Sequence, residues 1–316
     1  MRRIARPFGE RTYILPSREP KKKYFLAYEG QGTEPLYFEG IQSIRDELGI
    51  NMLLEIIPLR RTFSEKGWSH PGKLLSCVLD YLEQIRKGEY KVSTVVDWVV
   101  EAIEDRAAAT EEEVRDYLLK WFEEELGLSG DDTITSPEDV SENLADFLQK
   151  DTPVAEYPEN IRSYIEGQHT TFDPEFDCVC MIVDRDRQSF KENQYDEIVK
   201  RCEEHHVQLY VTNPCFEFWL LLHFDEIFKL DGNKLLNNKK IPKSAKYGYA
   251  GAELRKLVPG YQKTDVKFDV FAPRIAKAIR NEKKYAEDVK ELKTALGSNV
   301  GVLLSQLMAQ PENPRE

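Results

Sequence analysis

Apolar residues along the chain fall into two kinds of run. Some are short and unbroken, bounded by glycine, proline or acidic residues: "KKKYFLAYEG", "NMLLEIIPL", "DCVCMIVD" and "VQLYVT". Runs of this length and composition read as strands buried on both faces. Between them the apolar positions recur every three or four residues. Leu36, Phe38, Ile41 and Ile44 predict a helix from Glu34 to about Leu48, a second stripe begins after Pro71 in "KLLSCVLDYLEQI", and a third predicts a helix over about Asn193–His205. Strands alternating with helices specify an α/β fold with a mostly parallel sheet flanked by helices.

From about Gly88 to Gly167 the strand pattern lapses. "VVDWVVEAIED", "EEEVRDYLLKWFEEEL" and "SPEDVSENLADFLQK" read as helices joined by polar turns such as "GLSGDD". The middle one puts Val114, Leu118, Trp121 and Phe122 on one face and Glu111–Glu113 at its N-terminus. The expectation is an α/β core in two parts, residues 1–87 and 171–316, interrupted by an inserted all-helical subdomain over 88–170. Further on, "KLDGNKLLNNKKIPKSAKYGYAG" reads as a mobile loop, and "FAPRIAKAIRNEKKYAEDVKELK" as one long helix.

Charge sharpens this division. The net charge of −12 is concentrated in residues 81–150, which hold nineteen acidic and seven basic residues, while the 37 of each sign elsewhere cancel. A basic patch outside the insertion is therefore compatible with the acidic average. The insertion itself reads equally as a docking surface for a partner, a shield against nonspecific nucleic-acid binding, or helical filler. No apolar run approaches the 18 or so residues of a membrane span, and the basic N-terminus lacks the apolar stretch of a signal peptide. Five scattered cysteines, with Cys178 and Cys180 as a C-x-C rather than a zinc pattern, suit reduced thiols. Together these imply a cytoplasmic protein with no membrane partner.

Candidate chemistry gathers at strand ends. Ligands of parallel sheets sit beyond the carboxyl ends of the strands, where Glu29 follows one apolar run and Asp184 closes another. Asp184 and Asp186, two residues apart, bring like charges together and call for a cation. With Glu29 they would make a hard oxygen site suited to Mg²⁺ or Mn²⁺. Alternatively Asp184 caps the next element and Asp186 is simply solvated. In "EGQGTEPLYF", Gly30 and Gly32 allow close backbone approach to a phosphate; Thr33 reads as a helix N-cap, with Glu34 and Pro35 in the first turn. In "TNPCFEFWLLLHF", Asn213 reads as an N-cap with Pro214 at the first helical position. Glu217, acidic in an apolar run, must be paired with a cation or aimed into the site. Trp219 and His223, on the apolar face, read as core.

Glu29-Gly30, Thr33-Glu34-Pro35, Tyr37-Phe38, Asp184-x-Asp186 with Phe190, and Asn213-Pro214-Cys215-Phe216-Glu217 with Trp219 and His223-Phe224 together resemble the RloB-like family of Toprim proteins. "GYQKT", with Tyr261 and Lys263, and "GSNVGVLLSQLM" look like weaker family features. The resemblance covers roughly residues 20–75 and 175–310. It implies a Toprim-like sheet in which Glu29 is a general acid/base or metal ligand, while Asp184 and Asp186 hold Mg²⁺ for phosphodiester cleavage. It also implies a place in phage defence beside an AAA- or ABC-type ATPase, which must be a separate chain because no G-x-x-x-x-G-K-[ST] occurs here.

The expectation is therefore a Mg²⁺- or Mn²⁺-dependent nuclease acting on RNA such as tRNA, or on DNA, in an abortive-infection system. Its catalytic residues would be Glu29, Asp184, Asp186 and Glu217; its metal ligands Glu29, Asp184 and Asp186; its substrate contacts Gly30, Thr33, Glu34, Arg185, Asn213 and Lys263. Further cations for a phosphodiester chain are Arg60-Arg61, Arg187, the Lys239–Lys246 loop and Lys283-Lys284. The D-x-D has no third acid of its own; Glu217 or Asp225 could complete a site. Two other readings stay open, a non-catalytic regulatory subunit and a metal-dependent enzyme on a small phosphorylated substrate.

Overall fold

The computed structural model describes residues 22–30, 32–51, 54–59, 70–103, 110–140 and 170–309 apart from 188–189, 241 and 243–245, together with 143–144, 147 and 165. The chain opens with β1 (Lys22–Tyr28), α1 (Thr33–Ser43), β2 (Leu54–Leu59) and α2 (Pro71–Lys87). Next come β3 (Tyr90–Lys91), α3 (Val92–Ala102), α4 (Glu111–Leu126) and β4 (Thr133–Ile134). The α/β pattern resumes with β5 (Cys178–Asp184), α5 (Glu192–Glu204) and β6 (Val207–Asn213). The remainder is α6 (Phe216–Leu221), α7 (Gly232–Asn237), α8 (Tyr249–Leu257), α9 (Phe268–Phe271), α10 (Ile275–Glu282), α11 (Val289–Leu292), β7 (Gly297–Ser298) and α12 (Val300–Met308).

Five strands form one sheet in the order β2-β1-β5-β6-β7. The first four are parallel, and β7 runs antiparallel against the end of β6, with Thr212 opposite Ser298. Alternate residues of each central strand enter two different apolar layers. Phe25, Ala27, Val179, Met181, Val183, Leu209 and Val211 face α2 and α5. Tyr24, Leu26, Tyr28, Cys180, Ile182 and Tyr210 face α1, α6, α8, α10 and α12. Burial on both faces is why these strands read as unbroken apolar runs.

α2 shows how local sequence sets an element. Leu74, Leu75, Val78, Leu82 and Ile85 recur at helical spacing and are buried. His70 accepts the Gly72 N–H on its Nδ1, Pro71 takes the first helical position, and Gly88, at φ 67°, ends the helix in the left-handed region.

Three expectations need correction. The segment between β2 and β5 is not all helical, because Tyr90 and Lys91 pair with Ile134 and Thr133 in a two-strand ribbon. Nor is its packing separate from the sheet: Val95, Val99, Val114, Leu118 and Phe122 belong to the same apolar layer as Val179 and Met181. Of "SPEDVSENLADFLQK", Pro137–Val140 is a single 3-10 turn, and most of the rest lies outside the described residues. The long C-terminal helix is broken after Glu282. Ala286 there pairs with the β7 region, donating to Leu296 O (3.2 Å) and accepting from Ser298 N (3.0 Å). Asp288 then restarts a helix by accepting the N–H groups of Lys290 and Glu291. The Lys- and Asn-rich stretch read as a loop contains α7, capped by Asp231, and leads into α8. No helix among the described residues is long and apolar enough to cross a membrane.

Candidate functional site

The chain passes from β1 to β2 on one side and returns on the other side of β1 as β5, so the strand order reverses between β1 and β5. Such a switch point leaves a crevice at the carboxyl ends of the two strands. Glu29 and Asp184 stand there. Glu29 donates its backbone N–H to Ile182 O (3.0 Å), and its Oε2 accepts the Asp184 N–H (3.0 Å). Asp184 Oδ1 in turn accepts the hydroxyl of Thr212 on β6 (2.6 Å).

Two further carboxylates close on this pair. Glu34, in the first turn of α1, is buried and folds back over Gly30, where a Cβ would lie 2.3 Å from Glu34 Oε2. Glu217, in the first turn of α6, is only 4% exposed and meets Lys263 Nζ at 3.0 Å. Lys263 belongs to a turn closed by reciprocal bonds between Gln262 and Asp265. That turn lies directly on the start of α1: Thr33 Oγ1 donates to Lys263 O (3.4 Å), and a Cβ on Gly32 would come within 2.6 Å of the same oxygen.

Electrostatics follow from this crowding. Desolvation raises the Asp184 carboxyl well above the ordinary carboxylate range, and the charges of Glu34, Glu29 and Glu217 add to the effect against the Thr212 hydrogen bond. Glu34 is raised mainly by burial and then by Glu217, while its own N–H, Lys263 and the Gly30 N–H hold it down. Lys263 is raised above its usual value; burial opposes this, but Glu217 and Asp184 favour the charged ammonium. Cys215 is buried beside Glu217, accepts from Asn238 Nδ2 (3.2 Å), and is pushed well up by desolvation and by the charges of Glu217 and Asp184.

The residues singled out from the sequence separate accordingly. Glu29, Asp184, Glu34, Glu217, Gly30, Thr33 and Lys263 come together. Thr33, however, is the first helical residue rather than the N-cap; Gly32 holds the cap position, and the Thr33 hydroxyl turns to Lys263 O and Tyr261 Oη. Asp186 is exposed, and the acids that act most on Asp184 are Glu34, Glu29 and Glu217. Arg185 departs from its expected place. It is 1% exposed, with its guanidinium on Phe190 O and over the rings of Phe190 and Tyr195 at 5.5 and 5.3 Å. Two aromatic faces and a carbonyl hold it inside the apolar layer rather than toward a substrate. Asn213 is likewise not a helix cap: it ends β6, is joined to Pro214 by a cis peptide bond, and donates Nδ2 to Leu292 O (2.7 Å). Cys215 takes the cap position of α6.

His223 is core, as read. Its Nε2 meets Tyr37 Oη at 3.1 Å, its Nδ1 faces the Trp219 and Leu220 carbonyls, and desolvation pushes it down to about 3. Of the other proposed cations, Arg187 donates to Thr294 O and Lys284 sits on the Phe228 ring at 3.9 Å. Arg60 and Arg61 lie outside the described residues. Asp225 pairs with Lys277 at 2.9 Å. Sequence reasoning gave no role to Thr212, which looks like any β-branched strand residue, or to the contact of Cys215 with the acids.

The donor set is all carboxylate oxygen, crowded and desolvated, which suits a hard divalent cation. Among the described residues no three His, Cys, Asp or Glu side chains converge as metal ligands. The Lys263 ammonium reaches the cluster through Glu217. Close packing also makes Gly32 sensitive. Gly32→Ala should force the Lys263 backbone away from α1, at a cost of about 1–3 kcal/mol, read as a melting temperature lowered by several degrees. An unchanged melting temperature would mean that the turn is not seated on α1.

No curated protein and no solved structure matches the chain. The family model described as RloB-like protein matches residues 24–307, from within the first strand to the last helix. With a match over most of its length, the chain belongs to the RloB-like family.

Proposed function

We propose that this protein is a Mg²⁺- or Mn²⁺-dependent nuclease of Toprim type that cleaves phosphodiesters of RNA, such as tRNA, or of DNA. We further propose that it acts in an antiphage abortive-infection system, in the cytoplasm, under the control of a separate ATPase. The observation that carries the reading is the convergence of Glu29, Asp184, Glu34 and Glu217 with Lys263 at the switch point of a parallel sheet. Like charges are held at such density where a cation and a reaction call for them.

Glu29 and Asp184 are the carboxylates that would contribute to holding the divalent ion. Bound there, it supplies Lewis-acid polarisation of a phosphoryl oxygen and a water of lowered pKa. Glu29 sits on the Asp184 N–H through one oxygen; in this reading its carboxylate would accept a proton from an attacking water. Thr212 fixes the Asp184 carboxylate from the neighbouring strand. Lys263, 55% exposed along its side chain, is the cation that would meet a phosphate.

The test is incubation of purified protein, alone and with its partner ATPase, with mixed tRNA and with plasmid DNA in Mg²⁺ or Mn²⁺, beside Asp184→Ala. Cleavage that requires both metal and Asp184 is expected. No cleavage in any of these mixtures would end the nuclease reading. Burial of Arg185 favours a second one, a small phosphorylated substrate, because it leaves fewer cations for a polymer backbone. Polynucleotide affinity that falls steeply with salt separates the two, since phosphate contacts release counterions.

A further inference from the structure

Charge divides this molecule by face. α4 alone carries seven acidic and two basic residues, and its Val114, Leu118 and Phe122 pack in the apolar layer of α2 and α5. From Lys229 to Lys267 the described residues include nine basic and three acidic, and Leu235, Tyr247, Leu254 and Tyr261 there pack in the layer on the opposite face of the sheet. The three acids are already engaged: Asp231 caps α7, Glu253 holds Lys256 at 2.7 Å, and Asp265 pairs with Lys267. Lys239, Lys240, Lys246 and Arg255 are exposed and meet no carboxylate in an ion pair among the described residues. A cluster of uncompensated positive charge on an acidic protein attracts polyanions to that place and no other.

This cationic surface is rooted at the crevice on two sides. Asn238, at φ 43°, ends α7; its Nδ2 donates to Cys215 Sγ (3.2 Å), two residues before Glu217, and its Oδ1 accepts the Ala250 N–H (3.0 Å) in the first turn of α8. One side chain thus clamps both ends of the stretch that carries Lys239, Lys240 and Lys246. On the other side, Lys246 and Arg255 stand over the Tyr247 ring at 5.6 and 5.1 Å. Tyr247 is buried and packs against Tyr261 (6.1 Å between ring centroids), whose hydroxyl meets that of Thr33 at the start of α1 (3.5 Å). The cations are therefore held to the crevice by a chain of packed side chains.

We propose that, in the nuclease reading on which this step rests, Lys239, Lys240, Lys246 and Arg255 form a docking track for the sugar–phosphate backbone of a polynucleotide and lead it to Glu29 and Asp184. The substrate is accordingly a polymer rather than a small phosphorylated molecule: the track supplies the cations that burial of Arg185 withholds, and a mononucleotide at the crevice would leave them unused. Contacts to phosphate position a strand without reading its bases, so the track accepts any sequence. The acidic opposite face repels the same polyanion and so orients its approach.

Fluorescence anisotropy of a labelled oligonucleotide with the full chain, in EDTA so that nothing is cleaved, reads the track over about 50–200 mM salt. Each phosphate contact contributes about 0.7–0.9 to the slope of log affinity against log salt. Lys239→Gln with Lys240→Gln, and separately Lys246→Gln with Arg255→Gln, should each lower that slope by about 1.5 and weaken binding by about tenfold or more at the lower salt. Lys120→Gln with Lys200→Gln, on the layer of α4 and α5, removes the same charge and should change neither. The Lys239 and Lys240 pair decides the matter if loss of Arg255 from the Tyr247 ring disturbs folding. An unchanged slope in the track variants, an equal loss in the opposite-layer variant, or a parent that binds without salt dependence or not at all overturns the track. So does polyglutamate that competes as well as unlabelled oligonucleotide of equal charge, which would make the occupant an acidic protein. The nuclease reading is decided separately, by cleavage that requires Asp184. Such cleavage with unaltered slopes would keep that reading and remove the track, whereas the expected slopes without cleavage would keep the track and end the reading.

Discussion

Replacing Asp184 by asparagine should remove metal-dependent cleavage, by about a thousandfold or more, and at the same time raise the melting temperature. Under the proposed function, the first effect would follow from losing a charged oxygen ligand at the reacting centre, where a few kcal/mol of transition-state stabilisation correspond to that factor. The second follows from what Asp184 meets in the folded chain. Its carboxylate is desolvated and faces Glu34, Glu29 and Glu217, all of which disfavour its charge. Asparagine keeps the shape, can still accept the Thr212 hydroxyl through its side-chain oxygen, and carries no charge to repel. Opposite signs in the two measurements are the signature of a site that trades stability for function. A variant that loses activity and stability together would instead mark Asp184 as a structural residue of the β5 end. Melting curves without added metal, with cleavage assays on the same preparations, decide between these outcomes.

A comparably large effect is expected far from this cluster. Glu282 ends α10 fully buried, with Oε1 accepting the Gly301 N–H at the start of α12 (3.0 Å). Desolvation pushes its carboxyl up to about 8, against the hydrogen bonds from Gly301 and Ser298 that lower it and with a smaller upward contribution from Glu287. The folded chain therefore holds a proton that the unfolded chain has released. Between the ordinary carboxylate pKa and about 8, the native state binds more protons than the unfolded state, so stability falls as pH rises through that window. Glu282→Gln, always neutral, should flatten this fall. Its advantage over the parent should grow from pH 5 to pH 8 and reach an order of a few kcal/mol. Asp184 and Glu34 contribute slopes of the same sign in both proteins and cancel in the comparison. Denaturant unfolding at a series of pH values makes the measurement, and parallel profiles for the two proteins would refute the assignment.

The α/β core was legible because its central strands are buried on both faces and so appear as apolar runs ended by polar residues. Their carboxyl ends then located Glu29 and Asp184, which are 3.0 Å apart between side chain and backbone. What the sequence concealed was set by tertiary pairing. Arg185 looked like a phosphate ligand because charge suggests exposure, whereas Phe190 and Tyr195 offer it two aromatic faces inside the protein. Asn213-Pro214 has the composition of a helix start, but the β6 ladder extends through Asn213 and the helix begins two residues beyond Pro214. The helical pattern through Lys283 and Lys284 was real on either side of the break; the pairing of Ala286 with Gly297 overrode it. The Lys263–Glu217 pair spans two distant segments, and nothing local to either announces the other.

The two halves of the crevice are far apart along the chain. Glu29 bonds to a residue 155 positions later, and Thr33 to one 230 positions later. During synthesis, at about 5–20 residues per second, Glu29 emerges on the order of ten seconds before Asp184 and longer still before Lys263. A nascent or prematurely ended chain therefore has a carboxylate without its partners. An activity that needs Glu29, Asp184 and Lys263 together would come into being only after the segment that carries Lys263 has been made and has closed on the start of α1.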